Sequence, residues 1–224
     1  MTAVVPRTQI APRPLFCPIA HLHRDREVAE AVRAGRFTHA GVTRHLGREP
    51  DWLGAPLPDD EEWRIEWSKF YYGLDLAHAF RESGDPGFLR AWERLVRSWI
   101  RGVPVGADSS DVAARRITNW LYAWDAFAVA PGFPGLDEGL ADELLASIAV
   151  EATYVGANLT PERNHRTLEL YALFLVVAQT CSCWTSEPAD PSLFTATNTC
   201  SRVSLIAYTL QNQFKTSWKP GFLF

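Results

Sequence analysis

The chain has 224 residues, with 22 lysines and arginines against 26 aspartates and glutamates, for a formal charge of −4. At 47% hydrophobic and 21% charged residues it has the composition of a folded globular protein, which excludes a disordered chain unable to offset its ordering entropy. The slight acidic excess argues against a general nucleic-acid partner, since phosphate neutralisation needs a basic surface.

Residues 1–24 carry only short apolar pieces interrupted by Pro6, Pro12, Pro14 and Pro18, and read as an irregular segment. They hold no signal-peptide apolar core, and no run in the chain approaches the roughly 20 apolar residues of a membrane span. The expectation is a cytoplasmic protein with no membrane partner. Four cysteines are too few for a disulfide scaffold at this length.

From about residue 24 the apolar period is helical. Trp63, Trp67, Phe70, Tyr71 and Leu74 fall on one face of a single helix reaching Phe80. Ser83-Gly84-Asp85-Pro86 then ends one helix and starts the next, with Gly84 as the stop, Asp85 as the cap and Pro86 in the first turn. The second stripe runs through Phe88, Trp92, Leu95, Val96, Trp99 and Ile100, and a third through Val112, Ile117, Trp120, Leu121, Trp124 and Phe127. A fourth covers about 136–157, and a fifth opens at Thr160-Pro161-Glu162. No strand alternation precedes residue 178 and no Gly-rich phosphate loop occurs, so the fold class is all-α, built of antiparallel helical hairpins over 25–178.

Residues 179–224 differ in character. Their charges thin to Glu187, Asp190, Arg202, Lys215 and Lys219, while three of the four cysteines (Cys181, Cys183, Cys200) collect there. This tail reads as foreign to the domain, as a frameshifted end would be, or else as a Ser/Thr-rich linker.

Nine tryptophans are either helix-packing bulk or aromatic platforms along a sugar-binding cleft. The most informative polar string is Asn164-His165-Arg166, which puts an amide, an imidazole and a guanidinium in the first turns of a helix. A helix start already favours anions through its free N–H groups, so the string suits a carboxylate or sulfate, or is simply a solvated first turn. Arg116 shares a face with Asn119 and Trp120, which could hold an acidic sugar with its ring on the indole, or Arg116 could reach an acid within the bundle. Asp59-Asp60-Glu61-Glu62 reads as first-turn acids rather than a metal site, the cysteines lack zinc spacing, and His21 and His23 have no ligand cluster. His78 reads as a hydrogen-bonded core histidine. No metal or cofactor is expected.

Tyr71-Tyr72-Gly73-Leu74-Asp75-Leu76-Ala77-His78-Ala79-Phe80, Arg116-Ile117-Thr118-Asn119-Trp120-Leu121 and Asn164-His165-Arg166-Thr167-Leu168-Glu169-Leu170 together resemble the heparinase II/III-like polysaccharide lyases. Phe37, Trp52, Pro56 and Trp63 fit that family's opening segment. The resemblance covers about residues 25–178. It implies an incomplete (α/α) toroid, normally followed by a β-sandwich domain, and an acidic polysaccharide as substrate. The implied chemistry is β-elimination at a uronic acid: the carboxylate is neutralised, a Tyr or His takes the C5 proton, and an acid assists departure of the glycosidic oxygen. Asn164 and His165 would be the neutralising pair by analogy, supported by Arg116 or Arg166 beside Trp120 or Tyr71.

The chain departs from the family pattern where a catalytic tyrosine and the sandwich should follow. Tyr208 lies at a matching distance, but Ser204-Leu205-Ile206-Ala207-Tyr208-Thr209 does not look like the family segment. The expectation is therefore the amino-terminal part of a lyase, catalytically incomplete. The alternatives are a non-catalytic module that binds acidic glycans, or an α/α-barrel glycoside hydrolase. The latter needs two carboxylates across a cleft, with Glu151, Glu162 and Glu169 available.

Overall fold

A computed structural model describes residues 25–54, 57 and 59–181 of the chain. The expected irregular segment 1–24, Tyr208 and nearly all of the atypical tail lie outside them. The described residues form seven helices and one hairpin: α1 (Arg26–Arg33), β1 (Arg36–His39), β2 (Val42–His45), α2 (Glu61–Ser68), α3 (Tyr72–Ser83), α4 (Pro86–Gly102), α5 (Ser110–Ala128), α6 (Leu140–Ala157) and α7 (Arg163–Cys181).

The helices pack in two rows. α1, α3, α5 and α7 lie side by side, each against the next, while α4 and α6 pack behind them, with α4 on α3 and α6 on α5 and α7. This is the all-α, toroid-like arrangement of antiparallel hairpins that the stripes imply. Where the punctuation is chemical, it acts as expected. Gly84 closes α3 in the left-handed conformation (φ 68°), and Asp85 caps α4 by accepting the Gly87 N–H at 2.8 Å, with Pro86 in the first turn. Asp60 caps α2 through the Glu62 and Trp63 N–H groups, the ordinary use of an acid before a helix.

Three expectations are corrected. The stretch 36–45 is a two-stranded antiparallel hairpin, paired from Arg36 with His45 to His39 with Val42. Its two-residue turn, Ala40-Gly41, has both φ angles positive, the backbone a tight hairpin turn needs. The helix expected through Trp63–Phe80 is broken: α2 stops at Ser68, and Phe70 sits at φ 60° before α3 begins. His78 is not a core residue but a half-exposed partner of Glu82 one turn on, with Nε2–Oε1 at 3.1 Å.

The break at Phe70 follows from packing. Its ring enters an aromatic cluster, edge-on to Trp99 and Trp120 and stacked near Trp52, which stacks on Trp67 at 4.4 Å. All the described tryptophans (Trp52, Trp63, Trp67, Trp92, Trp99, Trp120 and Trp124) are buried, so they serve as packing bulk. Carbonyl groups freed at the end of α2 find new donors on α5: Arg116 Nη1 donates to Ser68 O at 3.1 Å, and Asn119 Nδ2 to Lys69 O at 2.7 Å.

Candidate functional site

Arg116 is 4% exposed and wholly engaged. Its Nη1 donates to Asp108 Oδ2 at 2.7 Å, its Nη2 pairs with Glu151 Oε2 at 3.1 Å, and its guanidinium lies 4.2 Å from the centre of the Trp99 ring. Burial pushes the Glu151 carboxyl above its usual range, and the adjacent guanidinium works against that push. Arg116 therefore ties α5, α6 and the α2–α3 corner together and has no donor to spare for a sugar. Trp120, fully buried against Phe70, presents no platform. The expectation that these two residues meet substrate is corrected: the stripe that put them on one face put that face in the core.

Asn164, His165 and Arg166 begin α7 and are exposed. The helix starts at Arg163, two residues after Pro161, because the preceding loop is fastened from within the helix. Buried Glu169 accepts the Thr160 N–H at 2.9 Å through one oxygen and the Ser110 hydroxyl at 2.6 Å through the other. Arg166 Nε donates to Thr160 O at 2.7 Å, so this arginine holds the loop as well as carrying charge. Asn164 makes no side-chain hydrogen bond among the described residues.

His165 Nδ1 lies 2.8 Å from Asp111 Oδ2 in the first turn of α5. The other Asp111 oxygen accepts from Ser109 Oγ at 2.6 Å. Burial pushes the Asp111 carboxyl up, but its hydrogen bonds to Ser109 and His165 and the charges of His165 and Arg115 leave it below its ordinary value. Asp111 is thus a fixed anion that orients the imidazole and leaves Nε2 toward the open face. Sequence reasoning missed Asp111, though an acid at the second residue of α5 is where a neighbouring helix start can be reached.

One to two turns along α5 and α7 from that pair is a small cleft of about 180 Å³. Tyr71, Arg115, Asn119, Tyr122, Leu168 and Tyr171 contribute to its walls. The Tyr122 and Tyr171 hydroxyls bond to each other across it, and the buried Nε of Arg115 has no partner among the described residues. Tyr71 is 37% exposed here, whereas Asn119 is only a wall, its amide donating to Lys69 O. These side chains come from α5, α7 and the residue just before α3, on the face turned away from α4 and α6.

Of the carboxylates a hydrolase would need, Glu151 is locked to Arg116 and Glu169 to the α7 entry loop, which leaves no free pair among the three. No group of three or more His, Cys, Asp or Glu suited to a metal ion occurs among the described residues. No helix among them is long and apolar enough to cross a membrane.

Comparison with known proteins gives two findings. The chain superposes on the crystal structure of heparan sulfate lyase HepC from Pedobacter heparinus with a TM-score of 0.61, at 19% identity over 92% of this chain. It spans 32% of that lyase's length, and the likeness at this identity establishes the fold. No curated protein sequence matches. The sequence profile described as Heparinase II/III N-terminus matches residues 20–180, and on that match the chain belongs to the heparinase II/III N-terminal family.

Proposed function

We propose that this chain supplies the carboxylate-recognising half of a polysaccharide lyase that works by β-elimination on uronate-containing glycans. The observation that carries this reading is the His165 imidazole. It is held by Asp111 at 2.8 Å at an open helix start beside Asn164, one turn from the cleft of Tyr71 and Arg115. The Asn164 amide and the His165 imidazole donate to the uronate carboxylate. The charge that C5 deprotonation pushes onto that carboxylate is then stabilised where it develops. Arg115, with an unpartnered N–H at the cleft wall, and Arg166 add positive charge near the same anion.

Elimination also needs a base for the C5 proton and an acid for the leaving oxygen. The family pattern takes the base from a tyrosine further along than α7, and the segment around Tyr208 does not match it. We therefore expect this chain to bind acidic oligosaccharide and eliminate negligibly.

Titration calorimetry with a uronate oligosaccharide tests the binding half. A charge-assisted hydrogen bond to a well-ordered carboxylate contributes about 1.5–3 kcal/mol. Asn164→Ala and His165→Ala should each weaken binding about tenfold or more. Unchanged affinity in both variants would remove the assignment. Ultraviolet absorbance of an unsaturated uronide tests the chemical half. Its formation by the wild-type chain at an enzymatic rate would refute incompleteness and make Tyr208 the first residue to substitute.

A further inference from the structure

A second cleft, of about 910 Å³, is not on the His165 face. It lies along α4 in the rear row, with walls from the loops at 49–50 and 134–138. Arg90, Arg94, Arg97 and Arg101 recur on α4 at i, i+4, i+7 and i+11, opposite the buried stripe of Phe88, Trp92, Leu95 and Trp99. At 1.5 Å per residue this row of guanidinium groups is about 16 Å long.

The four arginines are not equivalent. Arg97 pairs with exposed Asp137, and exposed Arg101 with Glu143, while Arg97 Nε lies 3.4 Å from a buried Glu143 oxygen. Arg90 and Arg94 make no hydrogen bond or ion pair among the described residues, and the Arg94 Nε is buried without a partner. Arg94 has cations close by in Arg48 and Arg90. Desolvation and their repulsion pull its pKa down, against the attraction of Glu49 and Glu93. Glu93, at the base of the cleft, is already committed to the Asp137 N–H at 2.7 Å. The lining also holds Glu49, Asp137 and Glu138, so the cleft is balanced in formal charge; what the fold leaves unsatisfied are the guanidinium donors of Arg90 and Arg94.

We propose that this cleft is a second binding site, for sulfate or carboxylate groups spaced along an extended anionic chain. Arg90 and Arg94 are its anchoring residues, and Arg97 and Arg101 extend it. A lone anion would satisfy one guanidinium. A row of four, two of them unpaired and two in ion pairs along the same wall, matches a polyanion. The identity of the polyanion as the acidic polysaccharide rests on the function proposed above; the anion chemistry does not. Held on the rear row, the chain would stay at high local concentration near the His165 face without occupying it.

The test uses the full chain and a heparin octasaccharide, followed by amide chemical shifts and by affinity against NaCl concentration. Expected are shifts along 90–101, a loss of about tenfold or more in affinity for Arg90→Ala with Arg94→Ala, and a shallower salt dependence, as befits fewer counterions released. Arg90→Lys with Arg94→Lys should keep the salt dependence while weakening binding less, which covers the case in which the alanine pair folds poorly. In Asn164→Ala with His165→Ala the shifts along 90–101 should persist, so the two sites can fail separately. The proposal is overturned if the octasaccharide moves no resonance in 90–101, or if the arginine substitutions change neither affinity nor salt dependence. It is also overturned if inorganic sulfate reproduces the same shifts and the octasaccharide binds no tighter, which would make this a site for a free anion.

Discussion

Asp125 shows how much a single carboxyl can shape pH dependence. It lies partly buried on α5, with Oδ1 lacking a partner among the described residues, and desolvation raises its pKa from the ordinary 3.8 to about 6. Between those values the folded state holds a proton that the unfolded state has released. Its contribution to stability therefore falls as pH rises from about 4 to about 6 and stays low above that. Asp125→Asn removes the ionisation. A two-unit shift corresponds to about 3 kcal/mol at 1.36 per unit, and partial solvent access reduces this to about 1–2 kcal/mol of stabilisation at pH 7. Urea unfolding at pH 4 and pH 7 checks it: the variant should gain at pH 7 and not at pH 4.

At the scale of elements, the joint between α2 and α3 is the informative case. A phenylalanine at φ 60° carries a Cβ cost that glycine does not, and it is held there by the aromatic cluster its ring enters. Removing the ring by Phe70→Ala should cost about 3–5 kcal/mol through the cavity left behind. Phe70→Gly removes one carbon more, yet should be about 1 kcal/mol more stable than Phe70→Ala, because the left-handed backbone no longer bears a Cβ. Denaturant midpoints of the two variants decide it; alanine above glycine would mean the corner relaxes out of that conformation. The same joint explains what could be read in the chain. Gly84, Asp85 and Pro86 announce a boundary through local chemistry, and they were legible. The boundary at Phe70 is imposed by Trp52, Trp99 and Trp120, which are distant in sequence, and the 63–74 stripe runs through it unbroken. The Ala40-Gly41 turn was missed for a related reason, as alanine is not a residue that signals positive φ. At the candidate site, the Asn164-His165 string was legible as an exposed helix start. Asp111 and Arg115 become visible only when α5 lies beside α7.

For the molecule as a whole, Arg116 is the point where the rows meet. It joins Asp108 and Glu151 and holds a carbonyl of the α2 end, all at a buried position. Arg116→Met keeps much of the side-chain bulk but leaves Glu151 buried without its cation, which should cost about 3–5 kcal/mol in urea unfolding. A loss under about 1 kcal/mol would show that water or rearranged donors replace the guanidinium. The chain aligns with about a third of a heparan sulfate lyase's length. Within that part the fold assigns its charges to different jobs: Arg116 and Glu169 hold helices, while His165 and Arg115 face the open side.

The corner at Phe70 also resets angular phase. In an unbroken helix each residue turns about 100° from the last, so Tyr71 would share a direction with Trp67 and Leu74, both of which are buried. The left-handed residue slips that phase by a fraction of a turn, and Tyr71 comes out at the cleft between buried Phe70 and buried Tyr72. The phenol at the mouth of the site is thus aimed by a backbone rotation one residue upstream, and any change that let the two helices merge would turn it inward.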